Sequence, residues 1–302
     1  MGREVYEKIA LIPWGKGTDT ITPGCMVLEG GGWRGLYTLG VLDVLMIAGV
    51  NLEATVGISA GALCGLGYTT GQIGWGAKID LTFRHDDNFC GINAIKKEHA
   101  ITGFEYLYKE ILKEYPLDKK RLKETPKRLA VGCTNLVTGE IEYFEKGNCN
   151  LSKAVSASAS VPYVSRPVIM NKMPYLDGGC ATKIPYEWAE REGYKKVVVV
   201  KTREHDYRRA EDSTYRMAHA MYHKFPEFVK AIEGANKKFN ETVDLLYALE
   251  ASGEVFIIEP SEVVTVTRFE GNMEKLGNLY WMGYNDGNNS LPRLKEYLGI
   301  KD

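Results

Sequence analysis

The pentapeptide Gly57-Ile58-Ser59-Ala60-Gly61 constrains the fold of this chain more than any other segment. It follows an apolar run at 54–56 and precedes small residues that favour a helix. A serine with glycine two residues before it and two residues after it fits a sharp strand-to-helix turn, because both flanking positions pass too close to neighbouring backbone for a Cβ. The pattern predicts a strained Ser59 whose Oγ is exposed above a sheet. It therefore predicts a nucleophilic serine of an acyl hydrolase.

A second glycine-rich segment, Gly30-Gly31-Gly32-Trp33-Arg34-Gly35, follows a short apolar strand pattern at 26–29. It opens a helical pattern in which leucines recur every three residues, and Gly49 ends that pattern. Consecutive glycines leave N–H groups free to converge on one oxygen, which suits an oxyanion hole and a phosphate cradle equally well. The same residues also match the dinucleotide fingerprint G-x-G-x-x-G.

The dinucleotide alternative requires an acidic residue at the end of the second strand, roughly 20 residues beyond the glycines. Glu53 lies near that distance, but it begins the strand pattern, which ends at Ser59. The glycine loop and the serine turn thus follow consecutive strands, so in a parallel sheet both lie at the carboxyl edge, where ligands bind. An oxyanion loop that faces a nucleophile explains both segments, whereas a nucleotide site explains one.

A third segment, Tyr175-Leu176-Asp177-Gly178-Gly179, follows a Ser/Ala-rich run at 152–160 and Pro162. The run predicts a tightly packed helix that the proline ends, and Asp-Gly-Gly predicts a tight turn that presents a carboxylate. Taken alone, Asp-Gly is typical of an ordinary β-turn. Its position after the other two segments is what gives it weight.

Gly-Gly-Gly-x-Arg-Gly, Gly-x-Ser-x-Gly and Asp-Gly-Gly, in that order, resemble the patatin-like phospholipase family over roughly residues 26–200. The resemblance implies a three-layer α/β/α fold with a largely parallel central sheet, and a lipid acyl hydrolase with a Ser-Asp dyad and no catalytic histidine. It implies that Ser59 is the nucleophile and Asp177 the general base, and that Gly30, Gly31 and Gly32 supply oxyanion donors. It implies no metal and no organic cofactor, with activity independent of calcium. The supporting motif positions are Arg34, Gly35, Gly57, Gly61, Gly178 and Gly179.

The sequence leaves the roles of Trp33 and Arg34 open. The bulk of Trp33 fits packing near the site or in the core. Arg34 either fixes the loop through a carboxylate or a backbone carbonyl, caps the helix or faces solvent, and we favour the first. The ordinary pKa of an aspartate, about 3.9, is low for a base that acts on a hydroxyl. Partial burial of Asp177 beneath the glycine loop would raise that pKa.

A Ser-His-Asp esterase is the rival mechanism, because the chain order Ser, Asp, His is available through His205, His219 or His223. These histidines lie in a charged region and follow no clear strand pattern, so we expect them on the surface, like His85 and His99. His219 and His223 have the spacing of a zinc-binding helix, but the glutamate of that motif is missing. A catalytically silent lipid- or nucleotide-binding protein that uses the same pocket is the alternative from another class.

Composition sets further bounds. The 302 residues are 44% hydrophobic and 25% charged, as in a globular protein with one substantial core. The net charge of −1 gives no electrostatic basis for binding nucleic acid, and no apolar run is long enough to cross a bilayer. The N-terminus lacks a signal-peptide core and a myristoylation pattern, and the six cysteines show no CxxC spacing. These features predict a cytoplasmic protein with reduced, buried thiols. They leave its oligomeric state open.

We expect a single domain over residues 1–302, with its core at about 24–201 and 254–260. Helical patterns separate most of the strand patterns, which lie at 26–29, 54–58, 129–134, 141–144, 196–201 and 255–259. A first decoration at about 78–128 is expected to form one wall of a pocket for a lipid or other acyl-ester substrate. A second, at about 202–252, fits either peripheral contact with a membrane surface or amphipathic helices packed on the sheet. Its aromatic residues are Tyr207, Tyr215, Tyr222, Phe225 and Phe228.

Overall fold

A largely parallel β-sheet forms the centre of the molecule in the computed structural model, which describes residues 4–210 and 215–300. In chain order, the strands of the described residues are β1 (Gly15–Lys16), β2 (Thr22–Leu28), β3 (Leu52–Ile58), β4 (Gln72–Ile73), β5 (Arg128–Asn135), β6 (Ile141–Glu145), β7 (Val168–Met170), β8 (Met173–Asp177), β9 (Val197–Val200) and β10 (Val255–Ile258). Eight of them form the central sheet, and β1 and β4 form a separate antiparallel pair.

The strands β10, β9, β2, β3 and β5 lie side by side in that order and are parallel. β6 and β8 pair with β5 in the antiparallel direction, and β7 pairs with β8. All the predicted strands are present, with bounds shifted by a few residues at most. No predicted strand corresponds to β1, β4, β7 or β8, because such short segments show no clear alternation and Pro174 interrupts β8.

The helices of the described residues are α1 (Gly35–Ile47), α2 (Ala60–Thr70), α3 (Trp75–Phe83), α4 (Ile92–Glu98), α5 (Phe104–Tyr106), α6 (Leu112–Glu114), α7 (Lys119–Glu124), α8 (Leu151–Ser158), α9 (Tyr186–Arg191), α10 (Tyr215–Tyr222), α11 (Pro226–Ala251) and α12 (Met273–Leu298). A π-helical turn, Leu107–Ile111, joins α5 to α6, and short 3-10 turns lie at Ile9–Leu11, Gly32–Arg34 and Gly178–Cys180. Within the described part of the chain, no helix combines the length and the apolar character that a bilayer crossing requires.

Helices cover both faces of the sheet, because successive side chains of a strand point to opposite faces. On one face, Met26 and Leu28 of β2 pack with residues of α1, α3 and α12. On the other face, Cys25 and Val27 pack with residues of α9 and α11. The chain thus has the predicted three-layer α/β/α fold with a largely parallel central sheet.

The C-terminal helix α12, which the sequence analysis does not predict, packs closely on α1. A Cβ at Gly40 of α1 would lie 2.1 Å from Tyr280 O, and one at Gly283 would lie 2.0 Å from the backbone of α1. Both helices therefore need glycine where their backbones cross. Asp43 accepts a 2.8 Å hydrogen bond from the Tyr280 hydroxyl in this contact, and burial raises the pKa of Asp43 to about 7. Glycines and Pro292 obscure the helical period of α12 in the sequence.

Helices α10 and α11 lie in the predicted decoration at 202–252, of which residues 211–214 are outside the described residues. Tyr222 and Phe228 are buried, and Tyr207 and Phe225 are partly buried against neighbouring core residues. The side chain of Tyr215 is outside the described groups. The described aromatic rings therefore stabilise packing on the sheet, as the amphipathic-helix alternative predicts.

All six cysteines are free thiols. Most of them are buried, as predicted, and the others are half-buried. The buried ones are Cys25, Cys64, Cys133 and Cys180, and the half-buried ones are Cys90 and Cys149.

Candidate active site

Ser59 lies at the turn between β3 and α2, and its backbone is strained. Its φ of 55° and ψ of −122° form a conformation that L-residues rarely adopt, at a cost of about 1–3 kcal/mol. A Cβ on Gly57 would lie 2.5 Å from the backbone of Gly61, and a Cβ on Gly61 would lie 2.5 Å from Leu28 O. Close backbone contacts therefore require both glycines, as the sequence predicted.

Asp177 reaches Ser59 because β8 continues the line of β3 along one edge of β5. β3 pairs with β5 as far as Ile58 opposite Gly132, and β8 takes over with Asp177 opposite Cys133. β6 pairs with β5 alongside both of these parts, so it occupies the other edge. The carboxyl ends of β3 and β8 consequently meet, and Ser59 Oγ donates a 2.8 Å hydrogen bond to Asp177 Oδ2.

Asp177 is 9% exposed and is held by further hydrogen bonds. Its Oδ1 accepts a 2.7 Å hydrogen bond from the Gly179 N–H, and its own N–H donates to Ser160 O at 2.9 Å. Burial raises the pKa of Asp177, while the Gly179 N–H, the Arg268 charge and the Ser59 hydroxyl oppose that rise. A raised pKa brings the carboxylate closer to neutral pH, where a general base works best.

Ser158, at the end of α8, holds the serine turn in place. Its Oγ accepts a 2.8 Å hydrogen bond from the Ser59 N–H and donates a 2.6 Å hydrogen bond to Gly132 O. Ser158 is fully buried, so water does not compete for these two hydrogen bonds in the folded chain. The sequence analysis gives this serine no role, because nothing local distinguishes it from the other serines of the Ser/Ala-rich run.

The glycine loop lies beside Ser59, and one of its amides is already engaged. The Gly30 N–H donates a 3.1 Å hydrogen bond to Lys183 O, which anchors the loop. Among the described residues, the N–H groups of Gly31 and Gly32 have no backbone acceptor. Gly32 has a φ of +59°, and a Cβ there would lie 2.7 Å from Arg268 O, so this position requires glycine. Of the three amides, those of Gly31 and Gly32 are therefore the ones without an acceptor in the described backbone.

Arg34 is 4% exposed, so the alternative in which it faces solvent is wrong. Its side chain makes no capping hydrogen bond to α1. Burial lowers the pKa of Arg34 to about 10, and the charge of Glu29 opposes that fall. Glu29 is itself fully buried and accepts a 2.7 Å hydrogen bond from the Thr202 N–H. Arg34 is therefore buried within reach of the charge of Glu29, and its role in fixing the glycine loop stays a prediction.

An apolar cavity of about 110 Å³ opens beside Ser59. Trp33 lines it and also packs on the core, so both of its predicted roles are present. Asp80 also lines the cavity, and burial raises the pKa of this carboxyl to about 7. Residues of the first decoration supply one wall. The main apolar lining residues are Trp33, Leu39, Leu63, Trp75, Ile79, Phe89, Phe104, Leu107, Val161 and Phe269.

A second cavity of about 440 Å³, which we call the polar cavity because several charged side chains line it, shares Gly32, Ser59, Val161, Arg268 and Phe269 with the first. Lys183, Arg209 and Arg268 line it together with Asp177. These three cations follow β8, β9 and β10, so they are far apart in the chain and meet at the carboxyl edge of the sheet. No local pattern in the sequence marks them, and the sequence analysis misses all three.

Among the described residues, no histidine lines either cavity. His205 is paired with Glu259 at 2.7 Å and His219 with Glu233 at 2.9 Å, and both rings are mostly exposed. His223, His85 and His99 are exposed as well, as the sequence predicted. The direct hydrogen bond between Ser59 and Asp177 leaves no place for a histidine between them.

Comparison with known proteins agrees with the three motifs. The family model described as "Patatin-like phospholipase" matches residues 26–189, and a second, "Domain of unknown function (DUF6363)", matches residues 225–299. The uncharacterized protein YjjU of Escherichia coli is 29% identical over 182 residues, which are 59% of this chain and 51% of YjjU. The probable lipid hydrolase 463L of Invertebrate iridescent virus 6 is 27% identical over 193 residues, which are 57% of this chain and 64% of 463L.

The chain therefore spans about half to two thirds of the length of these curated relatives. Among solved structures, VipD from Legionella pneumophila is similar at 16% identity and a TM-score of 0.48, over 89% of this chain and 67% of VipD. The family model covers the glycine loop, the serine turn and the Asp-Gly-Gly turn in a single match. The chain belongs to the patatin-like phospholipase family.

Proposed function

We propose that the chain is a serine lipid acyl hydrolase, of the phospholipase A or lysophospholipase type, that works through a Ser59–Asp177 dyad. The 2.8 Å hydrogen bond from Ser59 Oγ to Asp177 Oδ2, where an apolar and a polar cavity meet, carries this proposal. The family and the lipid hydrolase among the relatives support the substrate class.

In the acylation step, Ser59 Oγ attacks the ester carbonyl carbon while Asp177 Oδ2 takes the hydroxyl proton. The carbonyl oxygen becomes an oxyanion, which accepts hydrogen bonds from the N–H groups of Gly31 and Gly32. The Gly30 amide has a positioning role, because it is bonded to Lys183 O. Collapse of the tetrahedral intermediate breaks the bond to the alcohol oxygen, which leaves with the proton held by Asp177.

In the deacylation step, water attacks the acyl-Ser59 ester, and Asp177 takes a proton from that water. The second tetrahedral intermediate uses the same amides and collapses to release the fatty acid, while Asp177 returns the proton to Ser59 Oγ. Each preorganised oxyanion donor contributes about 2.7–4 kcal/mol to transition-state stabilisation in a comparable hydrolase. Two such donors compensate for the modest basicity of a carboxylate.

The substrate of this reaction is presented at a lipid surface, so we extend the proposal to peripheral contact with membranes or micelles. Phe269 and Met217 line the polar cavity and are 48% and 43% exposed. Exposed apolar side chains at the mouth of a cavity favour contact with lipid over water. Co-sedimentation with phospholipid vesicles, compared between wild type and a Met217→Ser/Phe269→Ser variant, tests this extension. Equal sedimentation would contradict it.

Hydrolysis of p-nitrophenyl esters of graded chain length tests the catalytic proposal, on wild type beside Ser59→Ala and Asp177→Asn. We expect activity to fall by at least about 10²-fold in both variants, since general-base catalysis contributes about 10²–10⁴-fold. Full activity of Ser59→Ala would exclude the proposed nucleophile. Activity that survives Asp177→Asn but not Ser59→Ala would favour the alternative mechanism, in which a histidine is the general base.

Labelling with a fluorophosphonate probe separates the enzyme from a silent binding protein that uses the same cavities. The probe reacts with an activated serine and ignores mere binding. We expect wild type to be labelled and Ser59→Ala to remain unlabelled. A wild type that resists labelling and hydrolyses no ester would favour the binding protein.

A further inference from the structure

The polar cavity holds more positive charge than the proposed dyad uses. Lys183, Arg209 and Arg268 line it, and Asp177 is the acidic side chain of the described lining. Glu29 is buried behind the glycine loop, and its Oε1 lies 3.9 Å from Arg209 Nη2, so it balances part of this charge. Like charges that are gathered in a partly buried site repel each other unless an anion joins them.

Arg209 is the best-placed of these cations. Its side chain is 12% exposed, and its Nε has no hydrogen-bond partner among the described residues. Its guanidinium lies 4.6 Å from the centre of the Phe239 ring, which orients it. Its backbone N–H and O are both bonded to the Asn240 side chain, at 2.8 and 2.9 Å. Arg209 lines the cavity, and no hydrogen bond to a described residue occupies its guanidinium, so its donors favour an acceptor supplied by a ligand.

Lys183 and Arg268 complete the set. Lys183 Nζ donates a 2.8 Å hydrogen bond to Gly179 O, and an ammonium has further donors. Burial and the Arg209 charge lower the pKa of Lys183 to about 8, as expected where positive charge is not fully balanced. Arg268 is exposed at the mouth, and it lines both cavities. Its guanidinium can therefore meet a ligand before the two inner cations do.

We propose that this polar cavity is a head-group site that binds the negatively charged phosphate of an acyl-ester substrate. The inference rests on the proposed acyl hydrolase function and adds the direction in which the substrate lies. The acyl chain occupies the apolar cavity, the ester carbonyl lies at Ser59, and the phosphate of the alcohol portion contacts Arg209, Lys183 and Arg268. The site selects head groups with net negative charge, because the ammonium of a zwitterionic head group would meet the same cations.

Binding to the Ser59→Ala variant tests the head-group site without turnover. Isothermal titration calorimetry compares dihexanoyl phosphatidic acid, dihexanoyl phosphatidylcholine and inorganic phosphate, all below micelle-forming concentrations. We expect the phosphatidic acid to bind at least about tenfold tighter than the phosphatidylcholine, since charge-assisted hydrogen bonds are strong. Equal affinity for the two lipids would overturn the inference. Inorganic phosphate that binds as tightly as the phosphatidic acid would show a site for free phosphate and would also overturn it.

Charge variants then connect the preference to the cavity. We expect Arg209→Gln, added to Ser59→Ala, to remove most of the preference, and Arg209→Lys to keep part of it. Arg268→Gln is a second variant that does not depend on a buried side chain, and we expect it to weaken the preference as well. Arg208→Gln is the matched control, because Arg208 pairs with Asp244 at the surface and does not line the cavity. A preference that is unchanged in both Arg209→Gln and Arg268→Gln would refute the assignment.

Hydrolysis by the wild type separates this inference from the function on which it rests. If wild type hydrolyses neutral p-nitrophenyl esters but shows equal kcat/KM for the two dihexanoyl lipids, the function holds and the head-group site is refuted. If wild type hydrolyses no ester, but Ser59→Ala still binds the phosphatidic acid preferentially through Arg209, the proposed function fails and the anion site stands. A kcat/KM ratio of at least about tenfold in favour of the phosphatidic acid supports both.

Discussion

Replacing Asp177 with asparagine is expected to change activity and stability in opposite directions. The asparagine Oδ1 can keep the 2.7 Å hydrogen bond from the Gly179 N–H, and its amide nitrogen takes the place of the oxygen 2.8 Å from Ser59 Oγ. The side chain therefore fits the same space, and Ser59 Oγ now accepts a hydrogen bond from the amide instead of donating one, with its own proton turned to the cavity that it lines. What it loses is the ability to accept the serine proton, so activity falls while the fold is kept.

The stability change follows from the raised pKa of Asp177. Burial makes ionisation of this carboxyl less favourable in the folded chain than in the unfolded chain, where its ordinary pKa is 3.8. Wild type therefore loses stability as pH rises from the unfolded value through the folded one, and the neutral asparagine does not. For every pH unit between those two values, the asparagine variant gains about 1.36 kcal/mol. In a protein of this size, that corresponds to about 2 °C in melting temperature.

Urea unfolding followed by circular dichroism, from about pH 4 to about pH 8, measures this difference. We expect Asp177→Asn to be the more stable protein at the upper end and the difference to shrink towards the lower end, where the wild-type carboxyl is protonated. Asp206→Asn is the control, because Asp206 is exposed and such surface changes stay within about 0.5 kcal/mol. A variant that is less stable than wild type at pH 8, or a gap that does not vary with pH, would refute the reasoning.

Four further predictions concern the neighbouring groups. Arg268→Gln removes a charge that lowers the pKa of Asp177. The acid limb of the pH profile of kcat/KM on a neutral ester is therefore expected to move to higher pH. An unchanged acid limb would show that the Arg268 charge does not affect the pKa of Asp177. Leu63→Trp adds bulk to the wall of the apolar cavity and is expected to lower kcat/KM for p-nitrophenyl decanoate relative to the acetate by at least about tenfold; an unchanged ratio would place the acyl chain elsewhere. Ser158→Ala leaves the Ser59 N–H and Gly132 O without their buried partner, so we expect a loss of about 1–3 kcal/mol in urea unfolding and a lower kcat at similar KM; a variant with wild-type stability would contradict this. We also propose that residues 1–302 form one domain, because β10 pairs with β9 and α12 crosses α1. A chain cut after residue 201 is therefore expected to lack near-UV circular dichroism, and a folded fragment would disprove the proposal.

The local geometry of the site follows from the sequence where a single residue type meets a single backbone requirement. Gly57 and Gly61 face backbone at 2.5 Å, which no other residue type tolerates, so the serine turn can be recognised from the pentapeptide alone. The main parallel strands are recognisable because their apolar runs are too short for a typical helix and are bounded by turn residues. The motif order then indicates the family.

The engaged Gly30 amide and the position of Ser158 could not be predicted in this way. Each depends on a hydrogen bond between residues that are distant in the chain, from Gly30 to Lys183 and from Ser59 to Ser158. Helix α12 escapes prediction because its glycines, which allow it to cross α1 closely, are the residues that weaken a helical pattern.

Local sterics make the strained serine turn recognisable in the sequence, because few other residue types tolerate the positions of its glycines. The three-layer fold and the proposed role of Asp177 followed from the order of the three motifs and the family that they resemble. The tertiary structure alone decided which groups surround the dyad. It made β8 continue the line of β3, and it gathered Lys183, Arg209 and Arg268 around one cavity. Charges act across space, whereas a sequence orders them along the chain. A site built from the ends of several strands therefore becomes visible only when the sheet is assembled.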